Sequence, residues 1–283
     1  MTGVQTCALP IFSVQTTNVT ARLTPIAQRG QALAIVVAGF SAALVLGVPL
    51  GTFIGQNFGW RLTFALVILL GLIASLGIRL VLPPIPAQSQ ENQGNQLQIL
   101  KQPAVFAALT VSLLTMTGQY VLYTYLPPFL EQTARLRGNE ISLVFLIYGF
   151  VGIAGSLIGG YAVDRLGLKI SLLFCIALTA LSLLGLNFLG ASFGLAGVLG
   201  AVIVWGLCAW GFTPIQQYRL LNLAPDHSDL VLSLNLSTFN LGIAAGSAIG
   251  GVVIGSGNLT SLNFVGGLII VPAVIYQLIA TRA

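Results

Sequence analysis

Long uncharged stretches limit the folds open to this chain. Charged residues make up only 6% of its 283 residues, whereas an ordinary soluble domain has about a quarter. They are clustered, so that none occurs in residues 30–60, 102–130, 141–163, 170–218 or 230–281. An α-helix needs about 20 apolar residues to cross the ~30 Å hydrocarbon core of a bilayer. Every stretch is long enough for one crossing, and the stretches 170–218 and 230–281 are each long enough for two. This pattern predicts an all-α polytopic membrane protein.

The apolar pattern predicts about eight transmembrane helices. They cover residues 31–54, 62–82, 103–126, 141–163, 170–190, 195–215, 230–254 and 262–281. Turns with polar residues, glycine or proline separate them, and a minimal break falls near residues 191–193. The longest connection, residues 83–102, begins with Pro-Pro-Ile-Pro and continues as a Gln/Asn-rich run, which is typical of a solvated linker.

The lysines and arginines predict the orientation of these helices. Cytoplasmic loops of membrane proteins carry an excess of basic residues. One set of alternating connections holds Arg22, Arg29, Arg79, Lys101, Arg165, Lys169, Arg219 and Arg282, and the other holds Arg61, Arg135 and Arg137. The larger set is therefore predicted to be cytoplasmic, together with both chain ends.

Several functional classes find no support in the sequence. The basic residues lie at the ends of apolar runs and form no patch, so the net charge of +5 does not indicate a nucleic-acid partner. Cys175 and Cys208 lie inside apolar spans and are expected to be packing residues, and His227 lies in a charged loop. A membrane-embedded enzyme would need clustered His, Asp, Glu or Ser/Lys side chains within the spans. We therefore expect no enzyme, no metal and no cofactor.

The most specific motif is a charged turn between two uncharged stretches. It reads Gly159-Gly-Tyr-Ala-Val-Asp-Arg-Leu-Gly-Leu-Lys169, and its pattern G-x-x-x-D-R-x-G-x-K resembles the signature loop of the major facilitator superfamily of transporters.

Four further segments resemble the drug:H+ antiporter branch, namely the bacterial efflux proteins for purines, nucleosides, sugars and chloramphenicol-like drugs. These segments are Gly39–Arg61, Tyr123–Leu130, Trp210–Gln217 and Leu232–Ser237. In the first, Val48 separates Gly47 from Pro49 and the usual double glycine is missing.

The resemblance implies a domain organisation in which the chain supplies helices five to twelve of a twelve-helix major facilitator fold. Residues 12–82 would be the remainder of the N-terminal half, residues 83–102 the cytoplasmic linker, and residues 103–283 the complete C-terminal half. Residues 1–11 read like translated sequencing adapter and are expected to be non-native, which would make the chain an N-terminally truncated fragment.

The resemblance also implies a function. The protein would be a monomeric secondary transporter in the bacterial inner membrane that exports a small organic solute by alternating access, in exchange for protons. An uptake symporter or uniporter on the same fold and a non-transporting scaffold or sensor stay open as alternatives. No carboxylate, lysine or histidine lies deep in a predicted span, and proton coupling needs a titratable group within the membrane. In the family this group commonly lies on the first helix.

Polar and aromatic side chains within the spans are the candidates for a solute cavity. Aromatic walls with a few hydrogen-bonding groups suit a flat, moderately polar ligand such as a base, a nucleoside or an aromatic drug. Each side chain has an alternative role as a contact between helices or an interfacial anchor. The candidates are Gln119, Tyr120, Tyr123, Trp205, Trp210, Gln216, Ser237 and Asn240.

Small residues at four-residue spacing predict flat stripes on which a neighbouring helix backbone can lie. The stripes are Gly47/Gly51/Gly55, Gly152/Ser156/Gly160 and Gly242/Gly246/Gly250. Their role is either static packing or the sliding of helices during transport. The resemblance implies an inner gate of Gly160, Asp164, Arg165, Gly167 and Lys169, and an outer gate shaped by Gly47, Pro49 and Gly51. Asp164 and Arg165 are interpreted as a latch or, alternatively, as a solvated turn that only fixes topology.

Overall fold

The computed structural model describes residues 59–81 and 99–282, except Arg137, together with isolated residues between 16 and 58. All regular structure in these residues is helical. The chain divides into two compact units, one of residues Thr17–Gly94 and one of Asn95–Ala283 with Met1–Thr16. The predicted span 31–54 lies largely outside the described residues, as do most of the 83–102 linker and Pro49.

The first unit contains helix α1, Trp60–Val81, which follows Gly59 in a left-handed conformation (φ 89°). Gly51 and Gly55 both face Thr63 of this helix, because a methyl group built on either would contact the Thr63 side chain at 3.8 or 3.5 Å. The Thr63 hydroxyl also donates a hydrogen bond to the Gly51 carbonyl at 3.4 Å. Two positions of the predicted Gly47/Gly51/Gly55 stripe therefore pack on α1.

The second unit is a helical bundle. Its helices are α2 (Pro103–Tyr123), α3 (Leu126–Thr133), α4 (Gly138–Leu166), α5 (Leu168–Leu223), α6 (Ser228–Gly255) and α7 (Leu262–Arg282). Short 3₁₀ turns, Pro225–His227 and Leu259–Ser261, precede α6 and α7. In the described part of the chain six helices are long and apolar enough to cross a membrane, namely α1, α2, α4, α5, α6 and α7.

Helix α5 is a hairpin of two membrane crossings. Its 56 residues would extend roughly 84 Å if straight, almost three times the hydrocarbon core. The helix breaks at Gly194, whose φ of 57° and ψ of −135° are not helical. Gly197 packs on the Leu189 carbonyl, and Gly211 lies beside the Cys175 Sγ, so residues 168–193 and 195–223 run antiparallel. With α5 counted twice, the described residues provide seven crossings.

The charged turn predicted at residues 164–169 is shorter in the structure, because α4 continues to Leu166 and α5 begins at Leu168. Gly167 alone joins them with a positive φ of 80°, a conformation that glycine adopts without strain. The Ser171 hydroxyl donates a hydrogen bond across the turn to the Ala162 carbonyl at 2.9 Å. The predicted turn between these two helices is thus confirmed, and it is tight.

Two predicted boundaries are wrong. Residues 127–140 were predicted as a turn, but they include α3, because prolines at the first turn of a helix need no N–H partner. The predicted span 195–215 also continues as helix to Leu223. The polar residues after Pro214 therefore lie within the helix and do not mark its end. Pro214 leaves the Trp210 carbonyl without its helical donor, and the Ser156 hydroxyl approaches that carbonyl at 3.5 Å.

The stripe Gly242/Gly246/Gly250 of α6 lies directly on the backbone of α2, as predicted. A methyl group at Gly242 would be 3.0 Å from the Leu113 carbonyl oxygen, and one at Gly250 would be 2.6 Å from that of Val121. Any residue larger than glycine would push the two helices apart. The stripe thus sets the distance between α2 and α6.

The contact between α4 and α5 differs from the predicted stripe at its last position. Gly155 and Gly159 meet the backbones of Leu207 and Gly211, and Gly152 lies under the Trp210 ring. No described atom lies within 4 Å of a methyl group built on Gly160. A helix has 3.6 residues per turn, so the facing positions alternate between spacings of three and four rather than keeping a constant four.

A third contact joins α2 and α7 and was not predicted. Gly118 and Gly266 face each other so closely that a methyl group on either would overlap the carbonyl of the other. The next residue, Gly267, faces Leu184 of α5. Glycines therefore hold α7 against both α2 and α5.

Two alanine substitutions on α4 test whether close packing at glycine stabilises the bundle. Gly155→Ala places a methyl group 2.8 Å from the Leu207 Cα, and overpacking of this kind costs about 1–3 kcal/mol. Gly149 has no described atom within 4 Å of its ideal Cβ, so Gly149→Ala is the matched control and should be neutral or slightly stabilising. The measurement is the free energy of unfolding in detergent micelles. Equal stability of the two variants would contradict the packing assignment.

Candidate functional site

Five aromatic side chains from α2, α4 and α5 form one cluster, which we call the aromatic cluster: Tyr120, Tyr123, Phe145, Tyr148 and Trp205. The Tyr123 ring is central, with ring centroids 5.4 Å from Tyr120, 5.8 Å from Phe145, 5.2 Å from Tyr148 and 6.1 Å from Trp205. Tyr148 and Trp205 are buried, whereas Tyr120, Tyr123 and Phe145 are half-buried. The cluster therefore has a buried back and a partly accessible front.

Gln119 lies beside Trp205 of the aromatic cluster. Its side chain is 3% exposed, and its Oε1 accepts a hydrogen bond from the Trp205 Nε1–H at 3.4 Å. The amide Nε2 has no hydrogen-bond partner within the described structure. A buried donor without an acceptor is costly, so a ligand acceptor that reaches this amide would bind favourably.

The sequence positions these groups by helical spacing and by one glycine. Gln119 and Tyr123 are four residues apart and therefore share a face of α2. Gly206 of α5 lets Tyr148 come close to the helix next to Trp205, because a methyl group there would lie 3.3 Å from the Tyr148 ring. Tyr148 and Phe145 were missed in the sequence. Both lie among the many apolar and aromatic residues of α4, where spacing alone does not single them out.

Trp210 is connected to the aromatic cluster through Tyr148. Its side chain is half-buried and packs on Gly152, with the Nε1 2.8 Å from the position a methyl group would take. Its side chain also lies next to that of Tyr148. Trp210 thus supports the back of the cluster.

Gln216 belongs to a second buried group that joins three helices. Its Nε2 donates to the Ala108 carbonyl at 2.6 Å and to the Ser112 Oγ at 2.9 Å. The Ser112 hydroxyl in turn donates to the Asn235 Oδ1 at 2.7 Å. We call Ser112, Gln216 and Asn235 the polar network. It ties α2, α5 and α6 together by hydrogen bonds that have no water to replace them in lipid.

Ser237 and Asn240 form hydrogen bonds within α6 itself. The Ser237 hydroxyl donates to the Ser233 carbonyl at 3.0 Å, and the Asn240 Nδ2 donates to the Leu236 carbonyl at 2.8 Å. Ser237 is exposed and Asn240 half-buried, whereas Asn235 is 2% exposed. Asn235 is therefore a polar residue of α6 that enters the interior. It lies in the segment Leu232–Ser237 but was not among the predicted site residues.

A polar seam connects the two groups. Ser112, Thr115 and Gln119 follow each other on α2 at spacings of three and four residues, and all three are buried. Three atoms along this seam lack a partner within the described structure: the Thr115 Oγ1, the Gln119 Nε2 and the Gln216 Oε1. Polar groups left unsatisfied in a membrane interior are expensive. The seam is thus where water or a polar solute would gain most by entering the bundle.

The residues assigned to the inner gate lie around the Gly167 turn. The Arg165 guanidinium lies 5.4 Å from the ring of Tyr161, one helical turn away on α4. Arg165 and Lys169 are both exposed. The side chain of Asp164 lies outside the described residues. Of the residues assigned to the outer gate, Gly51 packs on Thr63, whereas no described atom lies within 4 Å of a methyl group built on Gly47.

Comparisons with known proteins agree with this architecture. Residues 3–227 and 134–282 match the sequence model of the Major Facilitator Superfamily. The chain is 34% identical over 269 residues to the uncharacterized MFS-type transporter YbcL of Bacillus subtilis (strain 168), covering 95% of this chain and 68% of that protein.

Two solved structures share the fold. A bacterial homologue of the iron transporter ferroportin, in its outward-facing state, superposes with a TM-score of 0.66 at 16% identity, covering 97% of this chain and 69% of that one. A bacterial homologue of the human lysosomal transporter Spinster, inward-facing and unoccupied, superposes with a TM-score of 0.59 at 15% identity, covering 94% of this chain and 72% of that one.

Two neighbouring glutamines on α5 test the polar network. Gln216→Leu removes both hydrogen bonds that Gln216 donates, and hydrogen bonds between membrane helices contribute up to about 2 kcal/mol. We expect Gln216→Leu to lower the free energy of unfolding by about that amount. Gln217 is exposed, so Gln217→Leu provides the control and should leave stability within a few tenths of a kcal/mol. Loss of stability in both variants alike would show that the network does not hold the helices together.

Proposed function

Since this chain belongs to the Major Facilitator Superfamily, whose members carry small solutes across membranes, we propose that it exports a small organic solute from the bacterial cytoplasm. Export proceeds by alternating access across the inner membrane, in exchange for protons. The observation that carries the proposal is the aromatic cluster and, beside it, the Gln119 amide donor, which has no hydrogen-bond partner among the described residues.

The chemistry of the cluster favours a flat, largely neutral solute. The partly accessible rings of Tyr120 and Tyr123 offer faces for stacking, and stacked aromatic pairs gain about 0.5–1.5 kcal/mol beyond burial. The Gln119 Nε2 supplies a donor, which selects a solute with a carbonyl oxygen or a ring nitrogen at its edge. The cluster itself contains no charged side chain, so it offers no counter-ion for a strongly charged solute. Purines, nucleosides and aromatic drugs fit this description.

The remaining candidates take supporting roles in this proposal. Trp205 fixes the Gln119 amide, Trp210 supports Tyr148, and Gln216 holds α5 against α2. Ser237 and Asn240 line the cavity only if α6 turns them inward in another state.

Movement between states takes place at the gates. Gly160, Asp164, Arg165, Gly167 and Lys169 close the inner side, and Gly47, Pro49 and Gly51 shape the outer side. The free face of Gly160 leaves room for a neighbouring element to approach during closure. Exchange for protons is supported by the likeness of the Gly39–Arg61 segment to the antiporter branch.

Transport into inverted membrane vesicles tests the direction and the coupling. The probes are radiolabelled adenine, a nucleoside and chloramphenicol, and the lumen is made acidic. An exporter that exchanges its solute for protons accumulates a probe in the lumen, and a protonophore abolishes the accumulation. Accumulation only in right-side-out vesicles with an inward proton gradient would establish uptake instead. No transport in either orientation would favour a scaffold or sensor.

Substitution at Gln119 tests the site in the same vesicles. Gln119→Leu removes the amide donor but keeps the size of the side chain. Since one hydrogen bond contributes about 0.5–1.5 kcal/mol, we expect KM to rise about three- to tenfold. Gln217→Leu, on the exposed face of α5, should retain the KM of the unmodified protein. An unchanged KM in Gln119→Leu would remove this amide from the site.

A further inference from the structure

A second cavity lies at the end of the bundle where α5 begins and ends and where α7 ends. Its volume is about 230 Å³, and its polar lining consists of Lys169, Arg219, Asn222 and Gln277. Leu172 and Leu223 form part of its apolar wall. None of these side chains belongs to the aromatic cluster or to the polar network, and the transport proposal assigns only Lys169 a role.

Arg219 faces this cavity, and its contacts among the described residues are with uncharged side chains. Its guanidinium is half-buried; it donates a hydrogen bond to the Gln277 Oε1 at 3.4 Å and lies 6.0 Å from the Tyr276 ring. Both neighbours are uncharged, and no carboxylate of the described residues forms an ion pair with Arg219. A counter-ion stabilises a partly buried cation, so an anion that enters the cavity would interact favourably with Arg219.

The first turn of α5 adds to this positive potential. The helix begins at Leu168, next to Lys169, and its first turn contains no acidic residue. The N-terminus of a long helix carries a partial positive charge and free N–H groups, which favour anions. An arginine, a lysine and a helix N-terminus therefore converge on one cavity.

The walls of the cavity are held in place by contacts between α5 and α7. Gln277 is only 3% exposed, and its Nε2 donates a hydrogen bond to the Lys169 carbonyl at 3.3 Å. The same side chain thus binds the beginning of α5 through its nitrogen and Arg219 through its oxygen. This arrangement holds the first turn of α5 and the Arg219 guanidinium against the same side chain of α7.

We propose that this cavity binds a phosphate group, supplied by the headgroup of an anionic lipid or by a free phosphate. Arginine and lysine at helix ends recognise phosphate by charge and hydrogen bonding, and Asn222 provides a further amide donor. The cavity lies at the ends of membrane-spanning helices, and basic pockets between such helices bind anionic headgroups. Its leucines give a lipid chain an apolar wall. Occupation ties both ends of α5 to α7 and stabilises this end of the bundle.

Thermal unfolding of the purified protein in nanodiscs tests the proposal and separates the two sources. One series replaces phosphatidylcholine stepwise with phosphatidylglycerol, and the other adds inorganic phosphate to phosphatidylcholine discs at constant ionic strength, balanced with chloride. We expect a rise in the unfolding temperature that saturates. Saturation with phosphatidylglycerol alone identifies a lipid headgroup, and saturation with inorganic phosphate identifies a free anion.

Three variants show whether the effect arises in this cavity. Arg219→Gln removes the half-buried cation. Because a charge-assisted hydrogen bond contributes about 1.5–3 kcal/mol, the midpoint, which is the amount of phosphatidylglycerol or phosphate that gives half of the maximal stabilisation, should rise about tenfold or more. Lys169→Gln, at an exposed position, should weaken binding in the same direction and serves if Arg219→Gln does not fold. Arg165→Gln is the matched control, since Arg165 lies at the neighbouring turn but not in the cavity lining, and it should keep the midpoint of the unmodified protein. Absence of stabilisation by both probes, or equal loss in Arg165→Gln, would overturn the proposal.

Discussion

Close contact between helix backbones at glycine supports every other feature of this bundle. Lipid tails are as apolar as leucine side chains, so the hydrophobic effect does not drive helices together within a membrane. Helices there associate through van der Waals packing and hydrogen bonds. Gly246 lies on the Thr117 carbonyl, Gly155 on Leu207, and Gly118 on Gly266. These contacts bring α2, α4, α5, α6 and α7 to distances at which short polar side chains reach each other. The polar network and the seam on α2 depend on that closeness.

The same packing explains why the candidate site lies between α2, α4 and α5. Gly206 and Gly152 give space to Tyr148 and Trp210, which support Trp205 and thereby the Gln119 amide. Helices held by smooth glycine contacts also move past each other at lower cost than helices with interdigitated side chains. A transporter needs both properties, a defined cavity wall and a bundle that changes its packing during the cycle.

Much of the fold was predictable from the sequence. Burying a charge in lipid is costly, so the long uncharged stretches alone locate most of the membrane-spanning helices. The membrane fold and the superfamily are confirmed, as are the Gly167 turn and the Gly242/Gly246/Gly250 stripe. Periodicity did not show that α3 forms at its prolines, or that Gly159 and not Gly160 meets α5. It selected Gln119, Tyr123 and Trp205, but it missed Tyr148 and Asn235, since only tertiary packing decides which polar or aromatic residue of a span faces inward.

Accessibility of single cysteines tests the membrane arrangement most directly. The native Cys7, Cys175 and Cys208 are first replaced, and Gln132→Cys, Phe193→Cys, Arg165→Cys and His227→Cys are then introduced one at a time; all four positions are exposed. We expect an impermeant thiol reagent added to intact cells to label positions 132 and 193 and to spare 165 and 227, which react only in inverted vesicles. Labelling of 165 from outside while 132 is spared would reverse the orientation. Labelling of 165 and 193 from the same side would contradict the α5 hairpin itself.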